Sequence, residues 1–200
     1  METLGKLLGS GARVKIMRLF LLNRTIGFKS KDVVNRSRVN AAAVRKEISL
    51  LSSVNFIKKG IKKNSSEWFF NPSFKYAKEF EDLLVGSQSL NTTKVVDNFK
   101  KVGKVKLLVV SGVFIKNEDS RVDLLIVGDK MKKGKIEEGV KRLEAEIGTE
   151  LTYAVFDSKE FTYRLSMYDK LVRDILDFPH EVVIQGKGFT ELSTQTPRKI

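Results

Sequence analysis

Between Lys29 and Asn71 the sequence sets out a helix, a turn, a second helix and a basic hairpin, and no other stretch constrains the chain as tightly. The second helix reads Asn40-Ala-Ala-Ala-Val44-Arg-Lys-Glu-Ile48-Ser-Leu-Leu51-Ser-Ser. Val44, Ile48 and Leu51 recur at i, i+4 and i+7, which draws one apolar stripe along a helix. Asn40 suits its N-cap, and the three alanines that follow are strong helix formers without bulk. Asn55 stands where the helix needs a residue tolerant of the left-handed conformation, and Phe56-Ile57 return to the core. The face opposite the stripe offers Ala42, Arg45, Lys46 and Ser49, with Arg36 and Arg38 in the preceding turn. Small residues at the start and cations alongside suit an element that enters a major groove, which makes this the candidate recognition helix.

The next residues extend that pattern. Phe56 to Lys63 and Glu67 to Asn71 are two strand-forming runs joined across Asn64-Ser65-Ser66, a turn-type cluster. Lys58, Lys59, Lys62 and Lys63 all lie on the first arm, in reach of phosphates beside a groove-bound helix. The arrangement resembles the winged helix-turn-helix domains of bacterial and archaeal repressors. Val44, Ile48, Leu51 and the Phe56-Ile57 pair stand where that family carries the core of its recognition helix and the entry to its wing. The resemblance spans roughly the first 85 residues.

Charge is segregated in the same way. Residues 1–104 hold 21 Lys and Arg against 8 Asp and Glu, whereas residues 105–200 hold 16 of each, so the whole net charge of +13 lies in the first half. A basic half that coincides with a groove-shaped motif points to a polyanion partner, double-stranded DNA. With no cysteine there is neither a disulfide nor a thiolate metal site, which suits a reducing compartment. Leu4 to Leu8 is broken by Gly5 and Lys6, so it lacks the apolar core of a signal peptide, and no run approaches the ~20 apolar residues that span a bilayer. The expected location is cytoplasmic, without membrane contact.

Around this stretch, residues 1–11 read as a flexible lead-in, and Ala12 to Leu22 as an apolar helix under the pair. Ser30 is the expected N-cap of a first helix over Lys31 to Arg36. After the hairpin, Phe74 to Val85 reads as a helix, Gly86-Ser87-Gln88-Ser89 as a boundary, and Thr92 to about Lys101 as a further helix. From Val105 the texture changes to near-continuous apolar strands, Val105–Val110 and Val122–Val127, then an amphipathic helix Lys135–Ile147 and a strand Leu151–Phe156. One long helix capped by Ser158 is expected to run to Asp177, burying Phe161, Leu165, Tyr168, Leu171, Val172, Ile175 and Leu176. Glu181 to Gln185 is a short last strand, and residues 186–200 a frayed tail.

The segment VSGVFIKNEDSRVDLLIVGD, residues 110–129, carries the second resemblance. A strand ends in Gly112, a short polar loop follows, and the next strand bears Asp123 two residues after Arg121. This is similar to the minimal nucleotidyltransferase fold, in which a Gly-Ser pair follows the first strand and two carboxylates alternate on the second. Alternate strand residues share a face, so such carboxylates hold Mg²⁺ at one site. Here Val113 replaces the serine, Arg121 replaces the first carboxylate, and Leu151–Phe156 offers no third. Arg121 is expected to pair with Asp123, which leaves Gly112, Arg121 and Asp123 as at most a vestigial nucleotide site. His180, the single histidine, has neither a metal-site companion nor a serine partner, and the expected role is structural. Trp68 is expected to pack. Phe161, Tyr163 and Tyr168 read as core or dimer surface, and the Lys130, Lys132, Lys133 and Lys135 run as solvated loop.

The chain is therefore read as α/β (α+β): a winged helix-turn-helix over 1–86, a small mixed-sheet nucleotidyltransferase-like domain over 87–186, and a polar tail over 187–200. The expected function is sequence-specific DNA-binding regulation of transcription. The expected interface residues are Arg36, Arg38, Asn40, Ala42, Arg45, Lys46, Ser49, Lys58, Lys59, Lys62 and Lys63. The second domain would serve homodimerisation, ligand sensing or a protein partner bound through residues 105–200. No catalytic residue, metal or cofactor is called for. The alternatives are an active nucleotidyltransferase with a nucleic-acid-binding arm, and an antitoxin-like protein-binding module.

Overall fold

A computed structural model describes residues 2–62, 65–86, 92–117 and 119–189. The fold is mixed α and β, with two small sheets. The chain divides into two units: Met1–Ser89 together with Lys141–Glu150, and Leu90–Val140 together with Leu151–Ile200.

The first unit begins with helix α1 (Glu2–Leu7), where the sequence suggested a loose lead-in, because Leu4 and Leu8 find apolar surface on the unit's core. Ser10 then caps α2 (Gly11–Leu22) by accepting from the Arg13 N–H at 3.1 Å. Helix α3 (Ser30–Ser37) starts one residue before the expected span. Its cap position is Lys29 rather than Ser30, and the Lys29 N–H donates to Asp32 Oδ2 at 3.0 Å. A carboxylate three residues in thus satisfies the first amide, and no hydroxyl cap is needed. Helix α4 (Ala41–Ser53) carries the expected cap, with Asn40 Oδ1 accepting from the Ala43 N–H at 2.9 Å. Strands β1 (Ile57–Lys62) and β2 (Ser65–Phe70) pair antiparallel, Ile57 opposite Phe70 and Lys62 opposite Ser65.

One pairing was not anticipated. Phe28 and Trp68 exchange both backbone hydrogen bonds, 2.9 and 2.8 Å, so the segment before α3 lies against the outer side of β2. Phe28 itself is buried and meets Phe20 edge-on at 5.6 Å. The core draws Val44, Ile48 and Leu51 from α4, Phe20 from α2, and Phe56 and Phe70 from the hairpin. The helix expected from Phe74 is shorter: α5 runs from Ala77 to Glu81 and passes into a π-helical turn at Asp82–Gly86. Phe74 instead packs edge-on against Phe56 at 5.3 Å, which fixes it before the helix can begin.

The second unit holds α6 (Thr92–Phe99), β3 (Lys104–Val110), β4 (Leu124–Asp129), the first part of α7 (Lys133–Ile147), β5 (Tyr153–Phe156), α8 (Ser158–Ser166), α9 (Lys170–Asp177) and β6 (Glu181–Gln185). The sheet order is β5-β4-β3-β6, with β3 antiparallel to both β4 and β6, and β4 parallel to β5. Leu107 and Val109 face Val127 and Leu125 across the ladder, Leu108 and Val110 face Ile126 and Leu124, and both sets are buried. A sheet covered on both faces explains why these strands read as continuous apolar runs.

The single long helix expected from Ser158 to Asp177 is two helices. Asp157, not Ser158, caps the first, accepting from the Glu160 N–H at 2.8 Å. Tyr168 takes a left-handed φ of 55°, and Asp169 opens the second by accepting from the Leu171 and Val172 N–H groups. An aspartate that satisfies two orphan amides competes with helix continuation. The break turns Tyr168 outward, so it is exposed rather than buried as expected.

Candidate nucleic-acid interface

The surface proposed from sequence is assembled by three short elements. Ser37 Oγ donates to the Val33 carbonyl at 2.6 Å inside the unit, closing α3. Arg38 then takes a left-handed φ of 53°, and within two residues the chain is extended at Asn40. This tight reversal needs no glycine, since a single non-glycine residue in that region is tolerable at modest strain. Helix α4 emerges with Val44, Ile48 and Leu51 inward, and Ala42, Arg45, Lys46 and Ser49 together on the exposed side.

Glu47 is a residue that sequence reasoning missed. It is 4% exposed, on the buried side of α4, and its Oε2 accepts from Arg13 Nε at 2.8 Å. Arg13 also donates to the Leu8 carbonyl at 2.6 Å. Charged groups seldom lie this deep unless paired, so this contact ties α4 to α2, and Arg13 in turn holds the Leu8 carbonyl of the preceding turn. The only hint in the sequence was that Glu47 falls next to Ile48 on the apolar arc.

On the hairpin, Lys58, Lys59 and Lys62 are all exposed. Lys63 lies outside the described residues, as does Asn64 of the expected turn. Trp68 is half-buried against the core, so it packs as expected. A Cβ at Gly60 would meet the Phe69 ring at 2.9 Å, so the glycine gives that ring its place on the second arm.

Several cations of this unit differ in whether they are paired. Arg13 is bound to Glu47, Lys15 to Glu146 at 2.6 Å and Arg24 to Glu81 at 2.5 Å. Arg36 belongs with them: it reaches Glu150 of the same unit at 2.7 Å and lies over the Phe28 ring at 5.4 Å. In contrast, Arg45, Lys46, Lys58, Lys59 and Lys62 have no ion-pair partner among the described residues. Five cations without an ion-pair partner thus lie on the exposed side of α4 and on the first arm of the adjoining hairpin, with Glu67 the acidic residue on the second arm.

No family model, curated protein or solved structure matches the chain.

In the second unit the residues suggested as a vestigial nucleotide site are brought together, but not as expected. Arg121 does not pair with Asp123. Its Nε contacts Asp174 Oδ2 at 2.8 Å, because α9 offers a carboxylate on the side toward which Arg121 extends. Asp123 is occupied by backbone: Oδ1 accepts from the Val113 N–H and Oδ2 from the Thr152 N–H, each at 2.8 Å. Gly112 has φ +56°, and a Cβ there would strike Asp123 Oδ1. Gly112 and Asp123 thus form a structural clasp joining the end of β3, the start of β4 and the approach to β5, while Arg121 is tied to α9. His180 has a local role, with Nδ1 facing the Phe178 carbonyl at 2.8 Å, so the ring proton is assigned to Nδ1. Lys130, Lys132, Lys133 and Lys135 are exposed, Phe161 is core, and Tyr163 is exposed like Tyr168.

Among the described residues, a carboxyl held well below its usual range lies at the end of β4. Asp129 is lowered to about 2, first by Lys106, whose Nζ lies at 2.6 Å, and then by donation from Ser158. No helix is long and apolar enough to cross a membrane among the described residues.

Proposed function

We propose that the chain is a sequence-specific DNA-binding transcriptional regulator, with a winged helix-turn-helix in its first unit and a catalytically degenerate nucleotidyltransferase-like fold in its second. The observation that carries this reading is the unpaired cationic patch. A surface arginine and four lysines left without carboxylates repel one another unless an anion lies across them. They sit on a helix whose outward start is small, beside a hairpin, and this suits a major groove flanked by phosphates. The Phe28–Trp68 bridge adds support, since it braces β2 from the side away from β1 and so fixes where the hairpin points.

In this mechanism the basic half captures duplex DNA electrostatically. Arg45 reads a guanine edge, Asn40, Ala42, Lys46 and Ser49 line the groove, and Arg38 and the hairpin lysines hold phosphates. Arg36 acts at one remove, through Phe28 and Glu150. The second unit dimerises the protein or receives a partner, and it performs no nucleotidyl transfer. Supporting that last point, Asp123 spends both carboxylate oxygens on amide donors, and Arg121 is drawn to Asp174.

Selection of bound duplexes from a random pool tests the reading. The expected result is a consensus with a defined half-site spacing. Failure of the intact chain to retain any duplex at low ionic strength would overturn it.

A further inference from the structure

Folded chains seldom leave a sheet edge bare, because the unpaired amides and carbonyls of an outer strand invite another strand. The two edges of the β5-β4-β3-β6 sheet differ in this respect. On β6 the register against β3 is irregular and the strand opens with Glu181, and both features discourage a further strand. Strand β5 has neither guard. It reads Tyr153-Ala-Val-Phe156, uncharged, without proline and in even register with β4. The Thr152 carbonyl accepts from the Asp123 and Leu124 N–H groups at 2.7 and 3.2 Å, so alternation turns the amides and carbonyls of Tyr153 and Val155 outward. Among the described residues none of these outward groups has a hydrogen-bond partner.

The same two residues line a groove. Tyr153 and Val155 share one face of β5, and α7 begins beside that face. Between strand and helix lies a cleft of about 500 Å³, with walls that include Lys130, Met131, Lys133, Ile136, Tyr153 and Val155. Ile136 is buried and Tyr153 is 39% exposed, so an apolar floor opens to solvent. The rim is cationic. Lys130 and Lys133 line the cleft, Lys132 and Lys135 flank them in sequence, and none of the four has an ion-pair partner among the described residues. Of the two acids on the lining, Asp157 is turned to cap α8, accepting from the Glu160 N–H at 2.8 Å, which leaves Glu137 to face the lysines. The lysine loop is held in place: the Lys132 N–H donates to the Val102 carbonyl at 2.9 Å, and a Cβ at Gly103 would meet the Lys130 carbonyl oxygen at 2.7 Å.

An outer strand, an apolar groove beside it and cations at one end together suit an extended chain. Main-chain bonds then give affinity, and alternate side chains entering the groove give selectivity. Deepening the partner role proposed for the second unit, we infer that β5 takes up an extended acidic segment of another protein as a further strand, seated between β5 and α7 with its carboxylates at Lys130 and Lys133. A second copy of β5 would bring an uncharged strand and leave these lysines unanswered.

The test uses the full chain without DNA, so its failure leaves the DNA-binding reading standing. The probe is a fluorescein-labelled peptide of alternating valine and threonine that ends in a run of glutamates, followed by anisotropy. Micromolar binding is expected, and exchanging the glutamates for lysines should weaken it at least about tenfold. Joint Lys130→Glu and Lys133→Glu replacement should reverse that preference. Both side chains are exposed, so the melting temperature by circular dichroism should hold. N-methylation of alternate peptide amides should abolish binding in one register and spare it in the other, a comparison that leaves the protein unaltered. No binding of the acidic peptide at millimolar concentration, an unchanged preference in the charge-reversed chain, or equal sensitivity to the two methylation registers would each overturn the inference. So would a natural chain of doubled mass that the acidic peptide dissociates, since the edge would then belong to a second copy.

Discussion

Gly112 holds φ at +56°, and the space where its Cβ would stand is taken by Asp123 Oδ1. Replacing it meets two obstacles at once, a backbone conformation unfavourable to L-residues and a carboxylate already held by two amides. Gly112→Ala should destabilise the protein by about 1–3 kcal/mol in urea unfolding, adding left-handed strain to the loss of a part-buried hydrogen bond. A change within a few tenths would mean that the clasp is slack. Asp129 makes a separate prediction with pH. Its carboxyl titrates at about 2 in the folded chain against an ordinary 3.8, with Lys106 the first cause. A depressed carboxylate stabilises the fold above its unfolded value and loses that contribution as pH falls through the folded one. Melting temperatures of the natural chain should therefore drop between pH 4 and 2 more steeply than those of Asp129→Asn, and parallel curves would refute the assignment.

At the scale of elements, α4 and the hairpin divide the labour, and substitutions separate their parts. Asn40 caps α4 at the end that the DNA-binding proposal places at the groove. Asn40→Ala should reduce stability by about 1 kcal/mol, read from the urea midpoint. Arg45→Ala should lower discrimination at one base pair by about 1–3 kcal/mol and leave nonspecific affinity nearly intact. Joint replacement of Lys58, Lys59 and Lys62 by alanine should instead weaken binding to every duplex and reduce the salt slope by about three. If Arg45→Ala weakened all duplexes equally, α4 would be a phosphate contact rather than a reader of bases. Much of these elements was legible from the chain alone: the Asn40 cap, the 44–48–51 stripe, the Asn55 exit at φ 59° and the cationic first arm. Their spacing is local, and local hydrogen bonds answer to local sequence. The α8–α9 break was not legible, because a helical apolar period continues across Asp169 and only the competition of its side chain for two amides ends the first helix.

For the molecule as a whole, the DNA-binding proposal, set on a basic first half and a neutral second half, predicts an affinity that is electrostatic and salt-sensitive. The second unit leaves Tyr163, Met167 and Tyr168 exposed around the turn between α8 and α9. The proposal that this unit dimerises the protein predicts about twice the chain's 22.7 kDa by light scattering at micromolar concentration. A monomeric mass that persists on duplexes with paired half-sites would remove the dimer from the proposal.

Charge segregation, the helix–turn–helix–hairpin order and the buried character of β3 and β4 are properties of the chain itself, because each depends on composition or on periods of a few residues. Which cations remain unpaired is different. Whether Arg36 meets Glu150, Arg13 meets Glu47 or Arg121 meets Asp174 depends on residues 34 to 114 positions apart in the sequence. Only the folded chain brings such partners within hydrogen-bonding reach, and among the described residues this long-range pairing leaves Arg45, Lys46, Lys58, Lys59 and Lys62, with several other surface cations, without an ion-pair partner.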